Sequence, residues 1–291
     1  MTSTEQRTSP RSAEGNARAA CAVVPTGAEL DPVGFARKRR RISRTLGIGV
    51  PIVLISLWQL CAAQGLIDTR FFPAPSQIVT TAQRMITDGT LFSDVWTTLR
   101  ALLTGFAGGV VVGVTTGVLL ALSWPIRAGF EPLFNALYTV PKLAILPLLL
   151  LIFGLGETPK MILVGIGVFF IMWISTIEAV SDIPEGYIEA AQSFGVRGWD
   201  RFVNVTLPAV LPRIFTGLRL AIGNAVLIVV GIEFVNGDAG IGYRIWHSWS
   251  LFVADQMYVG IVTVALLGFS LALVIRTVAR LVIPWSPSNK D

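Results

Sequence analysis

The chain has 291 residues, of which 53% are hydrophobic and only 14% charged. A soluble domain carries about a quarter charged residues, so the composition excludes one and points to a membrane protein. One His and two Cys exclude a metal cluster and a disulfide framework, and the net charge of +5 sits wholly in residues 1–45, which hold nine Lys/Arg against four Asp/Glu.

Those first 45 residues read as a basic cytoplasmic tail. Residues 1–34 are rich in Ser, Thr, Ala, Gly and Arg with little periodicity, which predicts disorder. The run Arg37-Lys38-Arg39-Arg40-Arg41 directly precedes an apolar segment. That placement predicts an anchor on anionic lipid headgroups rather than a nucleic-acid arm.

A spanning helix needs about 20 mostly apolar residues. Six stretches meet that length: 46–63, 98–122, 130–153, 159–180, 214–235 and 257–281. A secretory-signal reading competes for the first, with Cys61-Ala62-Ala63 as the small-residue cleavage site. The run is long for that purpose and Gln59 interrupts it late, so retention is favoured.

After the first span, Phe72-Pro73-Ala74-Pro75-Ser76 holds off a helix until Ser76, an N-cap candidate. Ile78, Ala82, Met85 and Ile86 then share one helical face. A short amphipathic helix outside the membrane is predicted.

The second span carries a small residue at every fourth position: Ala101, Gly105, Gly109, Gly113, Gly117 and Ala121. Such a stripe lets two backbones approach where lipid supplies no drive for helices to associate. In the third span, Pro141 and Pro147 each remove a helical hydrogen bond. Lys142 lies near its centre, at an insertion cost of at least ~2.5 kcal/mol. It must face a cavity, a carboxylate or a carbonyl. One reading is a translocation-pathway cation for an anionic substrate. The other is a lysine that snorkels or pairs with Glu131, Glu178 or Glu233.

Between the fourth and fifth spans lies a long polar loop. Pro184 and Glu185 open a helix. Tyr187, Ala191 and Phe194 share a face, and Gly195 ends the helix as a left-handed cap. Trp199, Phe202 and Val203 form a second apolar face, and Pro208 and Pro212 end the segment before the fifth span. A helix–turn–helix on the membrane surface is predicted, its aromatic residues set to enter a partner groove. Beyond Glu233, the run Asn236-Gly237-Asp238-Ala239-Gly240-Ile241-Gly242-Tyr243 reads as an extracellular turn, not a phosphate loop, since it lacks a Lys-Ser/Thr ending.

Orientation follows the Lys/Arg asymmetry. The tail, the 123–129 and 181–213 loops and the C-terminal end carry 16 basic residues, and the opposite loops carry four. Both termini and the 181–213 loop are therefore expected in the cytoplasm.

Glu189-Ala190-Ala191 is followed after three residues by Gly195 and, after nine more, by Val205-Thr206-Leu207-Pro208. This spacing resembles the EAA loop of binding-protein-dependent ABC importer permeases, with Val205 where the family pattern has Ile. Three weaker matches, Pro73-Ala74-Pro75-Ser76, Pro141-Lys142-Leu143-Ala144 with Pro147, and Gly240-Ile241-Gly242-Tyr243, are similar to the nitrate/sulfonate/taurine type.

The resemblance implies an all-α membrane protein of six transmembrane helices, a five-helix importer core plus an N-terminal helix, with cytoplasmic coupling helices. Residues 1–45 would be the tail, 46–97 the first span and the extracellular amphipathic segment, 98–283 the core with its EAA loop at 182–212, and 284–291 a C-terminal tail. It implies the permease subunit of an ATP-driven importer in the bacterial plasma membrane, serving a small organic anion: sulfonate, taurine, nitrate or carboxylate. Glu189, Ala190, Ala191, Gly195, Leu207 and Pro208 would dock the ATPase subunits. Pro141, Lys142 and Pro147 would line the pathway, and Gly105, Gly109, Gly113 and Gly117 would pack helices. Further implied partners are an extracytoplasmic binding protein and a second copy of the permease.

The chain itself would be non-catalytic and bind no cofactor. It has no G-x-x-x-x-G-K-[ST] run, so ATP and Mg belong to the partner ATPase. The competing reading is an ion-driven secondary carrier. Such carriers have inverted repeats and intramembrane acids. Here no repeat is evident, and only Glu178, Glu233 and, near an end, Glu131 lie in spans.

Overall fold

The computed structural model describes residues 32–285, without the side chains of residues 32–36, 40 and 44. The disorder expected of residues 1–34 falls almost wholly outside the described residues. In chain order the elements are α1 (Pro32–Ala63), α2 (Pro75–Thr87), α3 (Thr90–Leu122), α4 (Trp124–Tyr138), a 3-10 turn (Lys142–Ile145), α5 (Leu146–Phe153), α6 (Glu157–Ser181), α7 (Glu185–Ser193), α8 (Gly198–Arg201) with a π turn (Phe202–Thr206), α9 (Leu207–Asn236), α10 (Ile241–Ser250) and α11 (Ala254–Val282).

The chain divides at Leu57 into two units. In the first, α1 is already helical at Pro32. The basic cluster therefore lies on the helix itself, with Arg37, Lys38, Arg39 and Arg41 exposed. Beyond it Leu46, Ile48, Ile52, Val53 and Leu54 are all exposed. A helix apolar on every side suits a bilayer.

The second unit is a helix bundle built on α3 and α6. Gly105 lies against the Met161 carbonyl and Val164, Gly109 against Gly165 and Val168, Gly113 against Phe169 and Met172, and Gly117 against Trp173 and Thr176. A Cβ at Gly109 would sit 2.5 Å from the Gly165 carbonyl oxygen. The stripe thus replaces side chains with direct backbone contact. Because both partners advance together, α3 and α6 run in the same direction. The chain between them must then return across the bundle.

It returns through α4 and α5. The sequence predicts one span over 130–153, but the structure has two short helical arms, Trp124–Tyr138 and Lys142–Phe153, bent by 89° at the break between them. Pro141 precedes that turn and holds an extended conformation, φ −59° and ψ 118°. Proline also biases Val140 away from helix, so α4 stops at Tyr138. Pro147 then sits in the first turn of α5, where its missing N–H costs nothing.

Among the described residues five helical stretches are long and apolar enough to cross a membrane, and the bent pair, taken as one span, makes a sixth. α9 runs antiparallel to α6: Gly167 faces Asn224 and Ile228, and Gly217 faces Ser175. Leu102, Leu163, Val168, Met172, Ala225 and Val229 are buried at the centre of these contacts.

Two further boundaries differ from the sequence-based expectation. The N-cap of α2 is Ala74, not Ser76; the Gln77 side chain accepts the Ala74 N–H at 2.9 Å, and Pro75 takes the first helical position. The amphipathic face is as expected at Ile78 and Met85, which pack on Val259, but Ile86 is exposed and Thr81 is buried in its place. The fifth span begins at Leu207 rather than 214, so Pro208 and Pro212 lie inside α9 instead of ending the loop.

Candidate functional site

The loop after α6 is built by local rules. Pro184 precedes α7 and Glu185 occupies its first turn, complementing the helix dipole. The Val196 N–H donates to the Ala191 carbonyl at 2.9 Å, and Gly195 takes φ +76°, which closes the helix with a left-handed residue. Gly198, at φ +57°, supplies a second such position that sequence reasoning misses. From there α8, the π turn and α9 form one helical rod of 39 residues. The predicted second surface helix is thus the root of the fifth span. Pro208 cannot donate an N–H, and the turn before it widens so that the Leu207 N–H reaches the Phe202 carbonyl. Widened turns of this kind cluster at functional sites.

On this scaffold Ala191 points inward, whereas Glu189, Ala190 and Gly195 are exposed. Tyr187 is exposed too, Phe194 is 86% exposed and Trp199 is 74% exposed. Trp199 stacks on Phe202 with ring centroids 5.3 Å apart. Tyr187, Ala190, Ala191, Phe194, Pro208 and Trp285 wall a groove of about 820 Å³, flanked by the Asp182–Arg213 ion pair. Leu207 is half-buried where the groove meets α9. Burying one such aromatic ring is worth about 1.5–3 kcal/mol, so this surface has a strong drive to be covered.

Lys142 lies at the 89° break. Its Nζ donates to the Tyr138 carbonyl freed at the end of α4, 4.5 Å above the Tyr138 ring and 5.5 Å from that of Phe170. Among the carboxylates that sequence reasoning offers it, Glu131 is held by Arg127 at 2.8 Å, and Glu233 is bonded elsewhere. The acceptor is a carbonyl. Pro141 and Pro147 are exposed beside it.

A third cluster, at the opposite end of the bundle, is not evident as a site from sequence. Glu233 is only 1% exposed. Its carboxylate accepts the Thr98 hydroxyl at 2.9 Å and the Gly242 N–H at 2.8 Å, while the Thr98 oxygen accepts the Ile241 N–H at 2.9 Å. Together they cap the start of α10 from two other helices. Arg244 pairs with Asp94 at 2.8 Å. Lys160 is only 2% exposed, with its Nζ 3.9 Å from Asp238. The available signal is a glutamate closing an apolar span just before a Gly-x-Gly pair.

The architecture is therefore a pair of parallel glycine-packed helices, a broken helix that recrosses between them, and a loop of exposed aromatic residues at one end. The same fold occurs in a chain of the inward-facing MetNI methionine ABC transporter, with a TM-score of 0.59 at 20% identity over 66% of this chain and 96% of that one. It also occurs in a bacterial alginate ABC transporter, with a TM-score of 0.56 at 12% identity over 88% of this chain and 96% of the other.

The chain belongs to the family of binding-protein-dependent transport system inner membrane components, whose sequence model matches residues 109–285. Its relatives include a putative aliphatic sulfonates transport permease protein, SsuC, of Bacillus subtilis, 30% identical over 86% of this chain and 91% of the relative. The taurine transport system permease protein TauC of Escherichia coli is 30% identical over 83% and 90%. The nitrate import permease protein NrtB of Leptolyngbya laminosa is 29% identical over 84% and 91%.

Proposed function

We propose that this chain is the translocation subunit of an ATP-driven importer for a small anion (a sulfonate, taurine, nitrate or a carboxylate) that an extracytoplasmic binding protein delivers. It works as a dimer with a second copy and couples to two ATPase subunits, which hold the ATP and Mg. The observation that carries the coupling assignment is the exposure of Tyr187 and Phe194 in the wall of the Ala190–Ala191 groove, with Trp199 exposed further along the same loop, within the segment that has the EAA spacing. Such a surface is costly unless a partner covers it.

The loop lies in the cytoplasm, together with both termini. The Lys/Arg asymmetry supports that orientation. The parallel course of α3 and α6 agrees, since it puts the 123 region and the coupling loop at one end. Closure of the ATPase dimer pulls on α7. α8 and α9 form one rod, so that motion passes directly to the fifth span and opens the pathway toward the binding protein. Lys142, with no carboxylate partner among the described residues, supplies the positive charge that an anion meets on its way, beside the exposed Pro141 and Pro147.

The test is a pull-down from detergent-solubilised membranes with the tagged chain, wild type beside Glu189→Lys. An ATPase should co-purify with the wild type and be lost from the variant. Absence of an ATPase from both samples, with uptake that follows the ion gradient rather than ATP, would return the chain to the secondary carriers.

A further inference from the structure

Arg219 is a charge inside a span with nothing to hold it. It lies within the apolar stretch 214–235 of α9. It is exposed, and it makes neither an ion pair nor a side-chain hydrogen bond among the described residues. Charged residues within spans are rare, and nearly all of them face a partner group, the bundle interior or water. The first two do not apply to Arg219. Gly217 meets Ser175 of α6, and two residues further on is about 200° round the helix. Arg219 therefore points away from α6 and from Glu178, the acid that α6 carries at that end.

The face it occupies is not built for lipid. From 213 to 223 the exposed residues of α9 are Arg213, Thr216, Arg219, Leu220 and Gly223, and only Leu220 is a large hydrophobe. On α11, by contrast, Ile261, Leu266, Phe269, Leu273 and Val274 cover the exposed face, as contact with acyl chains requires. At Gly223, one turn beyond Arg219, an added Cβ would meet nothing within 4 Å. The surface beside the arginine is thus polar, small and open.

The same face leads to the break that holds Lys142. Arg219, Gly223, Leu227 and Gly231 are spaced four apart, so they wind along one side of α9. Gly231 lies against Leu143, the residue after Lys142. On the other flank of this stripe Val226 rests by Gly268 of α11. Along the axis Gly231 is about 18 Å further out than Arg219. One open side of α9 thus joins two cations, Lys142 by the outer part of the span and Arg219 by the inner. Neither has a carboxylate partner among the described residues.

We infer that Arg219 is a second anion-binding residue of the translocation pathway, the inner station that receives the anion after Lys142. A guanidinium presents paired N–H donors that match two oxygens of a sulfonate, a carboxylate or nitrate. A passage needs sites that an ion can leave as well as enter, and two spaced cations meet that need better than one deep site. The inference rests on the permease reading, which supplies the anion and its direction of travel.

The experiment uses the complete permease–ATPase complex in proteoliposomes, with the organism's own solute-binding protein and labelled taurine, an alkanesulfonate and nitrate as probes. Arg219→Gln should cut uptake about tenfold, the effect of one lost charge-assisted hydrogen bond. Binding-protein-stimulated ATPase should stay at the wild-type rate, and Arg219→Lys should restore much of the uptake. A second measurement separates water from lipid. In a chain with Cys21 and Cys61 replaced by serine, Arg219→Cys should react with a membrane-impermeant thiosulfonate reagent that itself carries a sulfonate. Excess substrate anion should slow that reaction, and Leu266→Cys, on the apolar face of α11, should not react. Wild-type uptake in both Arg219→Gln and Arg219→Lys would overturn the assignment. So would an unreactive thiol at 219, the result expected if the arginine only reaches to the headgroups of the inner leaflet. Uptake and ATPase lost together in Arg219→Gln, and not recovered in Arg219→Lys, would overturn it too and leave a purely structural arginine. A wild-type complex that imports none of the three probes would overturn the permease reading itself.

Discussion

Thr98 of α3 donates its hydroxyl hydrogen to Glu233 at the end of α9 across 2.9 Å and accepts the Ile241 N–H at the same distance. Residues 135 positions apart in sequence therefore share one hydrogen-bonded chain, and the start of α10 is fastened to two spans. Every acceptor site used on the Glu233 carboxylate has a donor, which is what a buried carboxylate requires.

Removing one member should leave its partners stranded. Thr98→Val keeps the shape but strands the Ile241 N–H and one acceptor site on Glu233, at a cost of about 1–3 kcal/mol. Gly240→Ala should cost as much by another route: φ is +109° and the new Cβ would meet the Glu233 carboxylate. Thermal unfolding of the detergent-purified protein measures both. A melting temperature unchanged in Thr98→Val would mean that the cluster does not hold α10.

Neighbouring glycines on α3 should behave in opposite ways. A Cβ at Gly109 lies 2.5 Å from the Gly165 carbonyl oxygen, and one at Gly113 lies 2.7 Å from that of Phe169. Either must push α6 away, so Gly109→Ala and Gly113→Ala should lower the melting temperature and the yield of folded protein. At Gly108 nothing lies within 4 Å. There alanine gains helix propensity of about 1 kcal/mol, and Gly108→Ala should be neutral or slightly stabilising. Equal behaviour of Gly108→Ala and Gly109→Ala would contradict the packing assignment.

In the proposed coupling loop the backbone and the surface can be tested apart. Gly195 has open space around it but φ +76°, so the cost of a side chain there is conformational. Asparagine tolerates that region and leucine does not. Gly195→Asn should retain most uptake and ATPase co-purification, while Gly195→Leu should lose both with membrane insertion intact. Phe194→Ala and Trp199→Ala keep the backbone but remove exposed rings, and should release the ATPase at moderate detergent or salt. Retention of the ATPase by both would place the docking surface elsewhere.

What is legible in the chain alone is whatever is local or periodic. The stripe from Gly105 to Gly117 repeats every fourth residue, and the Gly195 cap is a matter of one residue's conformation, so both can be read directly. Hydropathy over 130–153 measures length but not direction. The 89° break appears only when Pro141 and Pro147 are placed between two helices that must run the same way. Pro208 and Pro212 read as terminators because proline ends helices in isolation, yet the π turn absorbs the first of them. The burial of Lys160 beside Asp238 is not legible either, because the two lie far apart along the chain. The Thr98–Glu233 bond is out of reach for the same reason, since nothing near either residue names the other.

Lys142 distinguishes a pathway residue from a helix terminator. Its Nζ bonds the Tyr138 carbonyl and lies over two rings. It therefore already has a structural task, satisfying a carbonyl that the break exposes. Lys142→Met keeps the length and apolar bulk, and Lys142→Arg keeps the charge. If the cation guides the anion, Lys142→Met should cut uptake about tenfold, the equivalent of one lost charge-assisted hydrogen bond of about 1.4 kcal/mol. Lys142→Arg should restore much of that uptake, and binding-protein-stimulated ATPase should stay at the wild-type rate in both. If the lysine only caps Tyr138, Lys142→Met should lose thermal stability and ATPase together, and uptake per folded molecule should not change. Uptake of labelled sulfonate in proteoliposomes, set beside ATPase turnover in the same vesicles, separates the two roles.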